Sequence, residues 1–326
     1  MKKKRVLSGI QPSGRLHLGN LIGALENWKK LQDKYECFFE IADLHALTTS
    51  YEDTHDFRTN IKEAFIDLLS IGLDPDKATI FLQSDLPEHS ELHLILSMIT
   101  PLGWLERIPS YKSKIQELKD RDLGTYGFLG YPVLQAADIL MYKAEVVPVG
   151  QDQLPHIEIT REIARRFNFL YKKEVFPLPK EELTHIPTLP GLDGRKMSKT
   201  YGNTINLSDS KEIIQKKIMS MITDPSRIKK EDPGHPDICG VFAYHSLFNA
   251  KEKDKIEKAC KKSEIGCVEC KKILAQEIIN KLLPIQEKRK EFDAVKIASL
   301  LEKGREKASQ AAQSTLKEVK KVVGLN

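Results

Sequence analysis

The chain lacks the features that mark membrane, secreted and repeat proteins. Only five of its 326 residues are cysteines. It has no run of about 18 uninterrupted apolar residues, so no transmembrane helix is expected. The basic segment 1–10 has too short an apolar part for a signal peptide, and there is no internal repeat or low-complexity tract. These absences predict a cytoplasmic protein with no membrane association, in which disulfides are rare.

Charge is nearly balanced over the whole chain but not within it. Hydrophobic residues make up 40% and charged residues 30%, which is typical of a globular protein whose length allows two domains. The net charge is +5, and residues 251–290 alone hold twelve Lys and Arg against seven Asp and Glu. This segment is either a docking surface for an acidic partner or a solvated helical face, and charge alone favours neither.

The first half alternates between strand and helix patterns. Short apolar runs at 5–10, 37–42 and 78–83 are typical of buried parallel strands, and helical spacing separates them. This alternation predicts an α/β fold with a doubly wound, Rossmann-like parallel sheet. We expect an insertion at 85–130, a helix at 132–142, a strand at 146–149, a helix at 153–167, a long loop at 171–207 and helices from Asp209 onward.

A turn rich in small residues follows the first strand. Gln11-Pro12-Ser13-Gly14 leads to His17-Leu18-Gly19-Asn20 at the start of a helix, where backbone N–H groups and the helix dipole favour an anion. His17 and Asn20 can donate hydrogen bonds to phosphate oxygens. Alone, the segment is as compatible with a tight turn that carries a surface histidine.

A second polar motif occupies residues 194–200. Lys196 and Lys199 can converge on one polyanion, and Ser198 and Thr200 add hydroxyl donors. Alone, it is more often an exposed turn with two solvated lysines. A protein that holds a triphosphate and stabilises departing pyrophosphate needs both motifs, so their joint presence favours that chemistry.

These motifs carry a resemblance to a known family. His17-Leu18-Gly19-Asn20 resembles the HIGH signature of class I aminoacyl-tRNA synthetases, and Lys196-Met197-Ser198-Lys199-Thr200 resembles their KMSKS signature. Asn20 and Thr200 depart from the last residue of each signature. The amino-acid sequences of residues 8–14, 41–48, 131–140 and 147–156 are similar to the corresponding segments of tryptophanyl-tRNA synthetases. The resemblance therefore covers nearly the whole chain.

The resemblance implies activation of L-tryptophan by ATP with Mg²⁺, followed by transfer to tRNA(Trp). No Ser-His-Asp or Cys-His pair has to be invoked. It implies His17, Asn20, Lys196, Lys199 and Lys114 as catalytic residues. It also implies an ATP site of Gln11, Pro12, Ser13, Gly19, Asn20, Gly150, Gln151, Asp152, Ile186, Lys196, Met197, Ser198, Lys199 and Thr200.

The same resemblance implies a tryptophan site, for which a tyrosyl-tRNA synthetase is the nearest alternative. The implied residues are Asp138, Leu7, His45, Tyr131, Gln135 and Gln153. A carboxylate at Asp138 can accept an indole N–H or a phenol O–H. Tyrosyl enzymes have a tyrosine at the position of Leu7, where it binds the substrate hydroxyl. The Leu7 side chain cannot form that hydrogen bond, and this favours tryptophan as the substrate. Gln135 points the other way, because tyrosyl enzymes carry glutamine there.

Four of the cysteines are close in sequence. Cys239, Cys260, Cys267 and Cys270 are separated by 20, 6 and 2 residues, whereas Cys37 lies in a predicted core strand. Four thiols in a reducing compartment favour a metal site over disulfides, and their spacing does not distinguish zinc, an iron–sulfur cluster or no metal. The resemblance implies a 4Fe–4S cluster, since a bacterial subset of tryptophanyl-tRNA synthetases has one at similar spacing.

The resemblance also implies a domain plan and an oligomer. We expect a catalytic domain at 1–190, whose insertion at 85–130 builds a homodimer. We expect a helical anticodon-binding domain at 191–290, and a C-terminal helix at 291–326 packed on the catalytic domain. The remaining alternatives are a non-catalytic iron–sulfur RNA-binding protein and a nucleotidyltransferase of the same superfold.

Overall fold

The computed structural model describes residues 3–117, 122–183 and 189–325. The chain forms two compact units. The first comprises Met1–Gly14, Asn27–His185 and Asp293–Asn326, and the second comprises Arg15–Glu26 and Ile186–Phe292. The first unit is therefore built from three separate stretches of sequence.

A parallel sheet of five strands lies at the centre of the first unit. The strands are β1 (Arg5–Ile10), β2 (Glu36–Ile41), β3 (Ala78–Leu82), β4 (Val146–Val149) and β5 (Lys180–Leu183), in the spatial order β3-β2-β1-β4-β5. Every pairing between neighbours is parallel. The prediction of a doubly wound parallel sheet is confirmed. The prediction of a continuous loop over 171–207 is wrong, because β5 lies inside it.

Fourteen α-helices are found in the described residues. In chain order they are α1 (Leu18–Asn20), α2 (Glu26–Lys34), α3 (Asp43–Ser50), α4 (Phe57–Ser70), α5 (Glu88–Ser97), α6 (Leu102–Leu105), α7 (Pro109–Glu117), α8 (Tyr126–Met141), α9 (Leu154–Leu170), α10 (Lys211–Ser220), α11 (Gly240–Phe248), α12 (Lys253–Lys261), α13 (Cys267–Arg289) and α14 (Ala294–Val323). None of these helices has the length and apolar content needed to cross a membrane.

Helix α8 begins six residues before the start predicted at Pro132. The side chain of Thr125 caps it by accepting a hydrogen bond from the backbone N–H of Phe128 at 3.2 Å. Pro132 lies inside the helix, where it removes one backbone donor. The prediction placed the proline in the first turn, where that missing donor has no cost. The cap at Thr125 and the buried face of the helix override this preference.

The long helix α14 packs against the edge strand β3 within the first unit. Its buried face has small residues at four-residue spacing, Gly304, Ala308 and Ala312, followed by Leu316. A Cβ atom at Gly304 would overlap the backbone carbonyl oxygen of Ile80. Glycine is therefore required at position 304 because the helix backbone approaches the strand backbone so closely.

The second unit is mostly helical. It contains α1, a π-helical turn at Leu21–Leu25 that continues into α2, and helices α10 to α13. Helix α13 packs against both α10 and α11, and its buried side chains are Leu274, Ala275, Ile278, Ile279 and Leu282. The Tyr244 hydroxyl of α11 donates to the backbone carbonyl of Pro190 at 2.6 Å. This bond ties the loop at 189–207 to the helical core of the same unit.

Candidate active site

The strand order of the first unit creates a crevice at the carboxyl ends of β1 and β4. The strand order reverses there, and open α/β sheets bind ligands at such a switch point. Gln11, Pro12 and Ser13 follow β1; they are half-buried, buried and exposed, respectively. Gly150 follows β4 and begins the short 3-10 helix Gln151–Gln153. The first unit thus brings the two predicted nucleotide segments to one edge of its sheet.

The segment after β4 is arranged around the side chain of Asp152. A Cβ atom at Gly150 would lie 2.7 Å from the Asp152 Oδ1 atom, so glycine leaves room for that carboxylate. The amide nitrogen of Gln153 donates to the Oδ2 atom of Asp152 at 3.1 Å. Gln151 and Asp152 are exposed. Their polar groups are therefore accessible to a ligand.

Asp138 lies at the centre of a buried hydrogen-bond network in the first unit. Its carboxylate accepts from His45 Nε2 at 2.7 Å, from His89 Nδ1 at 2.6 Å and from Gln83 Nε2 at 2.9 Å to each oxygen. The Nε2 atom of His89 lies 2.8 Å from the hydroxyl of Tyr142. Asp138, Gln83 and His89 are all 0% exposed, so the network is shielded from water.

A second carboxyl group, that of Glu40 on β2, lies against this network. Oxygens of Glu40 and Asp138 and a ring nitrogen of His89 lie within 4.8 Å of one another. Burial and then the negative charge of Asp138 raise the pKa of Glu40 well above its usual value. Burial also acts to raise the pKa of Asp138, but the hydrogen bonds from His45 and His89 outweigh it and lower that pKa. The pair therefore consists of a neutral Glu40 and an ionised Asp138.

A second polar cluster surrounds Tyr131 on α8. Its hydroxyl lies 2.7 Å from the Ser110 hydroxyl and 3.3 Å from His156 Nε2, and the Lys114 ammonium lies 5.2 Å from the centre of its ring. Burial, and then the charges of Lys114 and His45, lower the pKa of His156 to about 4. His156 is therefore neutral near pH 7 and can accept a hydrogen bond through Nε2.

The remaining predicted tryptophan residues belong to the first unit as well. Leu7 is 3% exposed and packs in the same hydrophobic core as Phe38 and Tyr142. Gln135 is half-buried on α8, one turn before Asp138. The fold thus brings Leu7, His45, Asp138 and Tyr131 to the face of the sheet that α8 covers.

In the second unit, the segment around His17 pairs with the chain after the 194–200 loop. The Leu18 N–H donates to the Ile205 carbonyl and the Leu207 N–H donates to the Leu16 carbonyl, both at 2.9 Å. The Asn20 Oδ1 atom accepts from the His17 backbone N–H at 3.0 Å. Burial, and then the charge of Lys199, lower the pKa of His17 to about 4, and its Nδ1 atom has no partner among the described residues.

The 194–200 loop is ordered by side chains within the second unit. Gly194 has a φ of +79°, which favours glycine, and Pro190 pairs with Lys196 in an antiparallel bridge. The Asn203 side chain accepts from the Ser198 N–H at 2.8 Å and donates to the Lys196 carbonyl at 3.2 Å. Lys196 is exposed and Lys199 is half-buried. The loop therefore holds its backbone while leaving the Lys196 side chain accessible.

The two signature motifs meet in the second unit. A Cβ atom at Gly19 would lie 2.9 Å from the His17 Nδ1 atom and 3.4 Å from the Met197 sulfur. Met197 is 6% exposed and anchors the loop against the turn. Thr200 lies in the 3-10 helix Lys199–Tyr201, whereas Ile186 falls outside the described residues. The unit thus places a histidine, small backbone positions and two lysines in one region, as a polyphosphate site requires.

The four cysteines of the 239–270 segment line one apolar cavity in the second unit, together with Arg227. Cys239 immediately precedes α11, Cys260 lies in α12, and Cys267 and Cys270 lie in the first turn of α13. Burial, and then the neighbouring thiols, raise the pKa of Cys270 to about 12. Among the described residues no three of these sulfurs lie within 4.8 Å of one another. The cavity thus gathers all four thiols of the motif, from α12, from α13 and from the residue before α11.

Several residues of these clusters were not predicted from the sequence. They are Glu40, Gln83, His89, Ser110, Tyr142 and His156. A glutamate within the apolar run Cys37–Ala42 was the one available signal, because a carboxylate seldom lies in a buried strand without a partner.

Three comparisons with known proteins agree. The family model described as tRNA synthetases class I (W and Y) matches residues 1–283. A tryptophan–tRNA ligase from Thermotoga maritima is 49% identical over 326 residues, covering 98% of this chain and 99% of that protein. One from Aquifex aeolicus is 44% identical over 394 residues, covering 98% and 100%.

The crystal structure of tryptophanyl-tRNA synthetase from Campylobacter jejuni complexed with ADP and tryptophan is also similar. It superimposes with a TM-score of 0.89 at 37% identity and covers 98% of this chain and 100% of that one. Both the sequence relatives and this structure match over nearly their full length. The chain therefore belongs to the class I tRNA synthetases of the tryptophan and tyrosine type.

Proposed function

We propose that this protein is a tryptophan–tRNA ligase, which activates L-tryptophan with ATP and transfers it to tRNA(Trp). The observation that carries the proposal is the contact between the two signature motifs, His17 to Asn20 and Lys196 to Thr200, in the second unit. Identity of 40–49% to tryptophan–tRNA ligases over the chain supports tryptophan as the amino acid. The reaction belongs to the cytoplasm, where tRNA is charged.

The chemistry needs positioning and charge stabilisation more than a protein nucleophile. A carboxylate oxygen of tryptophan forms a bond to the α-phosphorus of ATP as the bond to the bridging oxygen of pyrophosphate breaks. Tryptophanyl-adenylate and pyrophosphate result. The aminoacyl group then passes to a hydroxyl of the terminal ribose of the tRNA, with release of AMP. Mg²⁺ bound to ATP would offset the charge of the phosphates.

Residues of the second unit are proposed to bind phosphates. His17, Gly19 and Asn20 supply a neutral imidazole, a close backbone approach and an amide at the start of α1. Lys196 and Lys199 stabilise the charge that develops on pyrophosphate as it leaves. Met197, Ser198 and Thr200 complete the loop that carries the two lysines.

Residues of the first unit are proposed to bind nucleoside and amino acid. Gln11, Pro12, Ser13, Gly150 and Gln151 line the switch point, and the Asp152 carboxylate binds the ribose hydroxyls. Lys114 reaches toward phosphate from α7, next to Tyr131. Ile186 is proposed as an adenine contact from the sequence resemblance alone.

The amino-acid pocket is proposed to lie between the sheet and α8. Leu7 supplies an apolar wall, and Tyr131, Gln135 and Gln153 supply polar groups for the amino and carboxylate groups of the substrate. The network centred on His45 and Asp138 forms the polar base of the pocket. Leu7 favours tryptophan over tyrosine, because it has no hydroxyl to meet a phenol.

The activity is tested by amino-acid-dependent exchange of labelled pyrophosphate into ATP. Exchange with tryptophan and little with tyrosine is expected, followed by charging of tRNA(Trp) transcript. Exchange with tyrosine instead would reassign the substrate. A nucleotidyltransferase or an inactive RNA-binding protein would give no exchange with either amino acid, and that result would refute the proposal.

We also propose that Cys239, Cys260, Cys267 and Cys270 hold a 4Fe–4S cluster that clips α11, α12 and α13 together. Four thiols around one apolar cavity supply the usual ligand set, and the Arg227 guanidinium offsets the charge of the thiolates. The excess of basic residues at 251–290 gives the second unit a positive charge, with which we propose that it binds the anticodon region of the tRNA.

The metal proposal is tested on protein purified without oxygen. About four irons and four sulfides per chain with a broad visible absorption are expected. One zinc per chain, or neither metal, would contradict the cluster. Cys37, which burial gives a raised pKa of about 12, serves as the control: Cys37→Ser should retain the metal that Cys270→Ser loses.

A homodimer is proposed through the segment 85–130 of the first unit. Leu94 on α5, Met98 just after α5 and Leu102 on α6 are 55–74% exposed, which leaves an apolar surface on this segment. Light scattering after size exclusion should give twice the chain mass. Met98→Lys should shift the mass toward the monomer if this surface forms the dimer.

A further inference from the structure

Helix α7, which carries Lys114, has little buried surface to fix its position in the first unit. Among residues 109–116 the structure describes no buried side chain. The ring of Tyr111 stacks on the ring of Phe128 with centroids 5.5 Å apart, and the Ser113 hydroxyl donates to a backbone carbonyl of the same helix. Because so few apolar contacts hold this helix, each hydrogen bond that ties it to another helix matters for its position.

Ser110 ties α7 to two other helices at one point. Its hydroxyl oxygen lies 2.7 Å from the hydroxyl of Tyr131 on α8 and 2.9 Å from the Nε2 atom of His156 on α9. Tyr131 and His156 are 6% and 2% exposed, so water competes little for these bonds. A hydroxyl has one proton and two lone pairs, so Ser110 can accept from Tyr131 while it donates to His156, whose lowered pKa keeps it neutral.

The same face of α7 carries Ser110 and Lys114, which are four residues apart. Both contact Tyr131: the Ser110 hydroxyl meets its hydroxyl, and the Lys114 ammonium lies 5.2 Å from the centre of its ring. The charge of Lys114 also contributes to the lowered pKa of His156, so this charge acts on the same polar cluster. About one turn of helix joins the two contacts, so a fixed Ser110 also fixes the direction in which Lys114 extends.

This inference rests on the proposed role of Lys114 at the phosphates of ATP and deepens it. We propose that Ser110 is a positioning residue for tryptophan activation, which ties α7 to Tyr131 and His156 and thereby holds Lys114 toward the phosphates. Because Tyr131 belongs to the proposed amino-acid site, the tie also links that site to the phosphate site. Ser110 acts through Lys114 and needs no contact with either substrate.

The test is a double-mutant cycle, measured by tryptophan-dependent exchange of labelled pyrophosphate into ATP. Ser110→Ala removes both hydrogen bonds and should lower the kcat about tenfold, with a smaller change in the KM for tryptophan. In a Lys114→Ala background there is no ammonium to position, so adding Ser110→Ala should change the kcat less than about twofold. A hydroxyl with a structural role alone would lower the kcat by the same factor in both backgrounds.

Three variants separate positioning from a loss of stability. Ser113→Ala removes a hydroxyl that bonds within α7 itself, so it should leave the kcat unchanged. Ser110→Thr keeps the hydroxyl and should retain most of the kcat that Ser110→Ala loses. Ser110→Cys replaces the hydroxyl with a thiol, which is a weak hydrogen-bonding group, and should give an intermediate fall in kcat. It carries the test if Ser110→Ala does not fold.

Two results would overturn the inference. One is an unchanged kcat in folded Ser110→Ala, or in Ser110→Cys if that variant carries the test. The other is an equal fall in kcat with and without Lys114. Exchange that Lys114→Ala leaves intact would instead overturn the proposed role of Lys114, and the inference with it. No tryptophan-dependent exchange by the unmodified protein would overturn the proposed function itself.

Discussion

The close approach of α14 to β3 makes Gly304→Ala an informative substitution. A methyl group at residue 304 would overlap the Ile80 carbonyl oxygen and lie 2.9 Å from its carbon, whereas real Cβ atoms essentially never come within 3.0 Å. Both atoms belong to backbone, so neither can rotate away. The helix has to move outward on the order of 1 Å, which removes a quarter to a half of the dispersion energy at its contacts.

The expected loss is about 3 kcal/mol from overpacking, offset by about 1 kcal/mol because alanine favours helix over glycine. The net loss of about 2 kcal/mol should lower the Tm of the first unit by roughly 4–8 °C. Differential scanning calorimetry measures this shift, and hydrogen exchange of the α14 amides should show faster local opening.

Gly127→Ala is the matched control. Gly127 lies in the first turn of α8, in the same unit, and a Cβ atom there meets nothing within 4 Å. The same chemical change should therefore raise the Tm by a few degrees at most, through helix propensity alone. A Tm for Gly304→Ala at or above that of the unmodified protein would refute the close packing of α14 on β3.

Four other changes test the sites. Asp138→Ala should lower kcat/KM for tryptophan at least 100-fold and reduce selectivity in pyrophosphate exchange; unchanged tryptophan kinetics would remove Asp138 from the site. Lys199→Ala should lower the kcat of exchange about 100-fold with little change in the KM for tryptophan, and an effect confined to KM would contradict its role in the transition state. Because burial lowers the pKa of His156 to about 4, the unfolded chain takes up a proton first as pH falls. The free energy of unfolding should therefore fall by about 1.4 kcal/mol for each pH unit between pH 6.5 and pH 4. In urea unfolding, the free energy of unfolding of His156→Gln should depend less steeply on pH. Cys270→Ser should reduce bound metal and lower the urea midpoint of the second unit, and unaltered metal content would exclude Cys270 as a ligand.

The sheet was predictable because its central strands are apolar runs. Residues 5–10 and 146–149 are short and show no helical spacing of apolar residues, so these runs are identified as buried strands. Strand β5 has the sequence Lys180-Glu181-Glu182-Leu183, with two residues exposed and two half-buried, so no apolar signal separates it from the surrounding loop. Its pairing with β4 comes from backbone hydrogen bonds, which composition does not record.

The parts of the candidate site that lie in short contiguous motifs were predictable from the sequence. The parts that the fold assembles from distant segments were not. The residues around His17 and Lys196 are short local motifs that a resemblance can identify. The partners of Asp138 come from α3, from the segment after β3 and from α5, and nothing local links Gln83 or His89 to Asp138. The raised pKa of Glu40 comes first from burial and then from the charge of Asp138, so the sequence shows only a glutamate within an apolar run and not its neutral state.

The three-part construction of the first unit has a consequence for synthesis on the ribosome. Helix α14, which covers the edge strand β3, is made only after about a hundred residues of the second unit, a delay of roughly 5–20 s at ordinary rates. During that interval the nascent chain exposes the face of β3 on which Gly304 will lie, and an uncovered edge invites pairing with other chains. Release of a chain before Ala294 would leave that edge open permanently, so premature termination should yield aggregates even when the strand and helix core of the first unit is complete.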